Sequence, residues 1–241
     1  MALFSGDGWL FLLRWFHFLA GITWIGLLYY FNFVQTPFFA SADAPVRSGM
    51  IAGGLVSRAL WWFRWGAMFT FITGWLIIGH KIGQFGGVRE FLAQPYGLAI
   101  FIGGMLGSLM WFNVWFVIWP AQQVVIASAT QVSKGGQAIP EAAARGQRAG
   151  FASRTNTLLS IPMLFFMGAA SHLSWTAQLG RGTKLGMLLV LLAVLVLAEI
   201  NAMVGTTGPG KKMLSTLKGT FWAGFVLTAI FWVASVILIG A

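Results

Sequence analysis

The chain has 241 residues, of which 58% are hydrophobic and 8% charged, which excludes an ordinary soluble domain, where about a quarter of residues are charged. It has no cysteine, which excludes disulfides, thiolate-held iron–sulfur clusters and a covalently attached haem c. The formal charge of +10 comes without a strip of interleaved basic and aromatic residues, so it indicates the basic loops of a membrane protein and not nucleic-acid binding.

Six apolar stretches follow in chain order. Each is about 20 residues long, enough to cross about 30 Å of hydrocarbon. The first, Trp9–Tyr30, is too long for a signal-peptide core and lacks a basic leader before it. On its helix His17, Ala20, Gly21, Trp24 and Leu28 share one face. The second, Leu60–Gly79, has Arg64 near its start and His80 just past its end. The third, Tyr96–Trp119, carries a close-contact pair, Gly103 and Gly107, and a mid-span Asn113 suited to bond a neighbouring helix. Trp111, Trp115 and Trp119 form a packing or lipid-facing stripe on it. The connection Pro120–Arg154 is expected to be a loop whose second half is a short surface helix starting at Pro140–Glu141.

The fourth stretch, Thr155–Trp175, contains Met163 and Met167 and nearly ends on His172, which shares a face with Gly168 and Ala169. The fifth, Leu185–Val204, holds Glu199 and Asn201, which suit an ion pair, a proton path or a quinone site. The sixth is Gly219–Ile239. Trp9, Trp75, Trp119, Trp175 and Trp222 lie near span ends, where aromatic belts belong. The expected fold is all-α, one transmembrane domain over residues 1–241 with six transmembrane helices.

Ten of the 15 Lys and Arg residues fall in the loops after spans one, three and five or at their edges. The positive-inside rule puts those loops in the cytoplasm and both termini outside, in the periplasm of a bacterium. All three histidines, His17, His80 and His172, then lie in the outer half. Imidazole is costly in lipid and marks a site or a partner. His17 and His172 each have a pair of small residues one turn deeper, Ala20 with Gly21 and Gly168 with Ala169. Such empty space suits a porphyrin held edge-on beside its axial ligand. The reading is a non-covalent bis-histidine haem b, with His17 and His172 on the iron and Trp24 packed on the ring. His80 lacks small neighbours and reads as an interfacial histidine. Soft ligands at Met163 and Met167 would suit copper, but methionine is also an ordinary membrane filler.

The stretch Arg14-Trp15-Phe16-His17 through Trp24-Ile25-Gly26 resembles the first helix of the membrane domain of the bacterial cytochrome-linked urate oxidase family (PuuD type). So do Trp62-Phe63-Arg64-Trp65, the run Phe112-Asn113 through Trp119-Pro120, and the segment from Arg154-Thr155-Asn156 through Pro162 to His172. The spacing from His17 to Trp24 and Gly26 is also similar to HemJ-like and CopD-like haem membrane proteins. The urate oxidase resemblance implies oxidation of urate to 5-hydroxyisourate, with electrons passing to a periplasmic cytochrome c. In that family the cytochrome is fused at the C-terminus. Here the expectation is the membrane domain without it.

The expected function is therefore electron transfer in the bacterial inner membrane, by a multi-pass haem protein whose partner is cytochrome c or a larger membrane complex. The alternatives are a non-redox accessory subunit of a respiratory or photosynthetic complex and a copper-handling protein.

Overall fold

The computed structural model describes residues 4–173 and 180–239. Among these there is no strand. The helices are α1 (Gly6–Ser41), α2 (Ala44–Ala52), α3 (Leu55–Gln84), α4 (Val88–Ala93), α5 (Pro95–Ser133), α6 (Ala142–His172), α7 (Arg181–Met203), α8 (Pro209–Ser215) and α9 (Leu217–Ile239). Trp175, expected in the outer belt at the end of the fourth span, lies outside the described residues.

Four helices are long and apolar enough to cross a membrane: Gly6–Ser41, Pro95–Ser133, Arg181–Met203 and, in α9, Leu217–Ile237. The other two long helices, α3 and α6, span 30 and 31 residues but are more polar. The reason is visible in their positions. The buried faces of α3 and α6 carry Thr70, Thr73, Thr155, Asn156, Thr157 and Ser160, enclosed by neighbouring helices. The apolar helices instead expose large side chains on one face. On α7 these are Leu185, Leu189, Leu192, Val196 and Ile200, and on α9 Trp222, Phe225, Ile230, Val233 and Ile237. An apolar outer stripe at helical spacing is what lipid requires.

The expected loop from Pro120 to Arg154 is mostly helix. α5 runs on to Ser133, and the surface helix expected from Pro140–Glu141 merges with the fourth span into the single helix α6. Nothing in Ala142–Arg154 breaks the helix. The glycines there cost helix propensity, but Ala149 and Ala152 are buried, and α6 packs along α5.

Two helices contain a widened π-helical turn, Tyr30–Gln35 in α1 and Asn113–Ile118 in α5. A proline follows each, Pro37 and Pro120. Proline has no N–H, and its ring crowds the carbonyl four residues back. Those carbonyls belong to Phe33 and Phe116, inside the wide turns. The Thr36 hydroxyl donates to the Phe31 carbonyl (2.7 Å), satisfying one acceptor of the widened turn.

The helices form two groups. α1 packs chiefly on α3, and α6 packs on α5, α7 and α9. The groups are joined where Phe71 of α3 stacks on Trp111 of α5 (centroids 4.1 Å apart) and the Trp75 indole N–H donates to Ser108 (3.1 Å). At the other end Asn32 of α1 donates to Ser153 of α6 (2.8 Å), and Tyr29 bonds Ser160 (2.9 Å). The core centres on Trp24, Phe63, Leu106, Leu159, Phe166 and Phe231.

Candidate functional site

His17 lies half-buried between α1 and α3. Its Nδ1 is 3.0 Å from the Thr73 hydroxyl oxygen. That hydroxyl donates its own hydrogen to the Phe69 carbonyl (2.6 Å). The oxygen is therefore placed to accept from an Nδ1–H, which assigns the lone pair to Nε2, and the Thr70 backbone also bonds the ring. At the end of α6, Nδ1 of the exposed His172 is 2.9 Å from the Gly168 carbonyl, which can only accept. His172 has the same tautomer by the same reasoning, with Nε2 free. Both assignments follow from the bonding partners.

The two histidines lie at similar depth. Counting equal numbers of residues outward from the Asn32–Ser153 bond arrives at His17 on α1 and at Gly168 on α6, one turn from His172. They are not joined directly, since each spends its Nδ1–H on a different partner. His80, half-buried near the end of α3, has a buried Nε2 without a partner. Among the described residues no group of three or more His, Cys, Asp or Glu side chains could hold a metal ion.

The small residues divide differently from expectation. Those on α1 are occupied by α3. A Cβ added at Gly66 would lie 3.1 Å from the Trp24 backbone nitrogen and 3.2 Å from the Ala20 carbonyl oxygen. One at Gly74 would lie 3.1 Å from Cε1 of His17, and one at Gly21 would touch Thr70 at 3.8 Å. Ala20, Gly21 and Trp24 therefore serve a close helix crossing, with Trp24 buried under α3. On α6 the space survives. Gly168 is exposed with nothing within 4 Å of an added Cβ, and Ala169 is buried beside it. Met163 and Met167 pack their side chains on Gly107 and Gly103 of α5. The glycine pair thus makes the expected close contact, with methionine as the filler.

A buried polar cluster joins α5, α6 and α7. Asn113, fully buried, donates to Asn156 (3.0 Å), which donates to the Met110 carbonyl (2.9 Å). Glu199 lies beside Asn113. Asn113 Oδ1, Thr155 Oγ1 and Glu199 Oε2 are buried without partners. Nearby, the Arg64 guanidinium sits over Trp119 (3.9 Å to the ring centroid) and Trp115 (5.2 Å). The tryptophan stripe of α5 is thus a wall facing α3, with a cation held on its π faces.

At the end of the bundle away from His17 and His172, α1, α3, α5, α6 and α8 line a half-open cavity of about 370 Å³. Gln35 and Arg154 line it and carry unpartnered buried atoms, Oε1 and Nη1. Next to it Lys211 is almost fully buried, donates to the Ala202 carbonyl (3.0 Å) and lies over the Phe151 ring (4.2 Å). Burial pushes its amine below the ordinary lysine range, and Arg148 acts in the same direction.

Reading the sequence alone misses Thr73, Gly74 and Gly66. A usable signal is there: Gly66, Thr70, Thr73 and Gly74 repeat on span two the small-and-polar spacing noticed on span one. Pro37 and Pro120 likewise announce the widened turns beside the cavity.

Comparison with known proteins gives one family match. The model of the family described as urate oxidase N-terminal matches residues 88–236, more than half of the chain. It covers Asn113, Asn156 and His172, while His17 and α3 precede it. No curated protein and no solved structure matches.

Proposed function

The chain belongs to the urate oxidase N-terminal family, and from that premise we propose that it is the electron-transfer membrane component of a urate-oxidising system, crossing the bacterial inner membrane six times with both termini outside. The four strongly apolar helices support this reading, with α3 and α6 as the two further spans whose polar faces are sheltered by the bundle. Ten of the 15 basic residues lie at one end, which supports the orientation.

The reading includes a b-type haem held by His17 and His172. One observation carries it: each imidazole has its Nδ1 within hydrogen-bond distance of a protein oxygen, the Thr73 hydroxyl for His17 and the Gly168 carbonyl for His172, an arrangement that assigns the proton to Nδ1 and the lone pair to Nε2. That is the tautomer an axial ligand needs, with the second nitrogen fixed by an outer partner. The residues present fit the group in donor chemistry, and on the α6 side in space, where Gly168 is open. A haem would supply reversible one-electron transfer. The chain's own residues do the rest. Thr73 orients His17, and the Gly168 carbonyl orients His172. The exposed apolar side chains Phe16, Phe18 and Ile22 of α1 keep water from that half of the bundle. Electrons would leave on the outer side toward a cytochrome c.

The test is a dithionite-reduced minus oxidised spectrum with a pyridine haemochrome assay, on the wild type, His17→Ala and His172→Ala. A near-stoichiometric b-type α-band that disappears in both variants is the expected result. A colourless wild type from haem-replete cells refutes the haem. The second reading, a non-redox accessory subunit of a larger membrane complex, is favoured by the occupation of the α1 niche by α3. It would then stand as the working function.

A further inference from the structure

We propose that Glu199 on α7 is a binding site for one exchangeable proton, held as a neutral carboxylic acid paired with the amide of Asn113 on α5. Of the five acidic residues, Asp7, Asp43, Glu90 and Glu141 are exposed. Glu199 instead lies in the bundle, with Oε2 buried and without a partner. An ionisable side chain at membrane depth is costly and marks a functional site. Asn113, its neighbour, is fully buried and opens the widened turn Asn113–Ile118. Such π-helical turns occur often at functional sites.

A chain of hydrogen bonds fixes which way each amide points. The Met110 carbonyl can only accept, so Asn156 turns its nitrogen there (2.9 Å) and its oxygen to Asn113. Asn113 gives that oxygen one N–H (3.0 Å) and has a second N–H for its other neighbour, Glu199. Asn113 Oδ1 and Glu199 Oε2 remain, both buried and both without a hydrogen. A carboxylate carries no hydrogen and serves neither oxygen, whereas a carboxylic acid carries one. Once protonated, Glu199 gives its O–H to Asn113 Oδ1 and accepts the Asn113 N–H, the two-bond pairing of an acid with an amide. The step adds one proton to one carboxylate and moves no electron.

The helices packed against α7 supply no other counter-charge. α5 has no charged residue, α6 brings Arg145, Arg148 and Arg154 to this half of the bundle, α8 brings Lys211 and Lys212, and α9 brings Lys218. Lys211 is spent on the Ala202 carbonyl and the Phe151 ring, and none of the six bonds Glu199 Oε2. A buried carboxylate without a cation partner is costly, and a proton removes that cost. A metal cation fits less well, because Asn113 turns an N–H toward the same carboxyl. Glu199 as a whole is half-buried, so its carboxyl borders the bundle surface, where its proton can exchange.

The test is infrared difference spectroscopy of the full chain in phosphatidylcholine vesicles. The readout is the C=O stretch of a neutral carboxyl, which stands apart from the carboxylate and amide bands. The expected result is such a band at neutral pH that shifts in deuterated buffer, is absent from Glu199→Gln and moves to higher frequency in Asn113→Leu, where the acid loses its acceptor. The Glu199→Gln amide can make the same two bonds to Asn113, so that variant folds even if Asn113→Leu does not. A wild type with no neutral-carboxyl band overturns the proposal, as does a band that persists in Glu199→Gln or stays in place in folded Asn113→Leu. A band that deuterated buffer does not shift would mean a sealed structural acid with no exchangeable proton, which also overturns it. Loss of the band when sodium chloride replaces choline chloride at constant pH would assign the site to a metal cation and overturn it too. None of these readouts depends on haem, so the failure of this proposal and the failure of the haem reading are told apart.

Discussion

Replacing Gly66 by alanine tests whether α1 and α3 are locked by direct backbone approach. The added Cβ would lie 3.1 Å from the Trp24 nitrogen and 3.2 Å from the Ala20 carbonyl oxygen. Both are backbone atoms, so no rotamer change relieves the contact. α1 must retreat by a few tenths of an ångström, and overpacking of this kind costs about 1–3 kcal/mol. Against it stands the better helix propensity of alanine, up to about 1 kcal/mol. Gly79 on the same helix is the control, since a Cβ there meets nothing within 4 Å and Gly79→Ala collects the propensity gain alone. Subtracting the two isolates the contact. In SDS titration of detergent-solubilised protein, Gly66→Ala should be less stable than Gly79→Ala by about 1–3 kcal/mol. A difference below about 0.5 kcal/mol would refute the argument, because context noise alone reaches that size.

Three further outcomes are expected. Gly224→Ala should lower the unfolding midpoint more than Gly66→Ala. Its Cβ would meet the Leu158 carbonyl oxygen at 2.9 Å, the acceptor that Pro162 strips of its helical donor, and Ile161 Cδ1 at 2.5 Å. An Asn113→Ala and Asn156→Ala double-mutant cycle should give a coupling of about 0.6–1.7 kcal/mol, the range for hydrogen bonds between membrane helices. Purely additive losses would mean the 3.0 Å bond contributes nothing. Because the folded protein holds the Lys211 amine below its ordinary value, the unfolded chain binds that proton more readily. Stability should rise as pH increases from the lowered value toward the ordinary lysine value. Lys211→Met should remove that slope in alkaline unfolding titrations, and a slope unchanged in the variant would show that another group is responsible.

The polar residues around which the candidate site is argued were legible because membrane helices expose their anomalies. Three histidines and a buried Asn113 stand out in a chain that is 8% charged, and Asn113 does bond a neighbouring helix through Asn156. The stretch from Ala142 to Arg154 was expected to be helix and is, but its join to the fourth span was not legible, because its arginines and glycines lack the apolar period of a span. Neighbouring packing makes the two one helix. The room beside His17 was ambiguous for a different reason. Ala20 and Gly21 are equally good for a flat cofactor or a close helix, and only the position of α3 decides between them.

Composition and spacing alone determined the helical class and the apolar stretches, and they set the expectation that all three histidines lie toward one end. These are properties of length, hydropathy and covalent order, and they need no neighbour. Tertiary structure decided what each helix face meets: that α3 packs against the small residues of α1, that His17 Nδ1 lies beside the Thr73 hydroxyl, and that Gln35 and Arg154, far apart in the chain, line one cavity. The order of helices around a bundle is set by the sum of many weak packing terms between residues distant in sequence. No single periodicity along the chain encodes that sum.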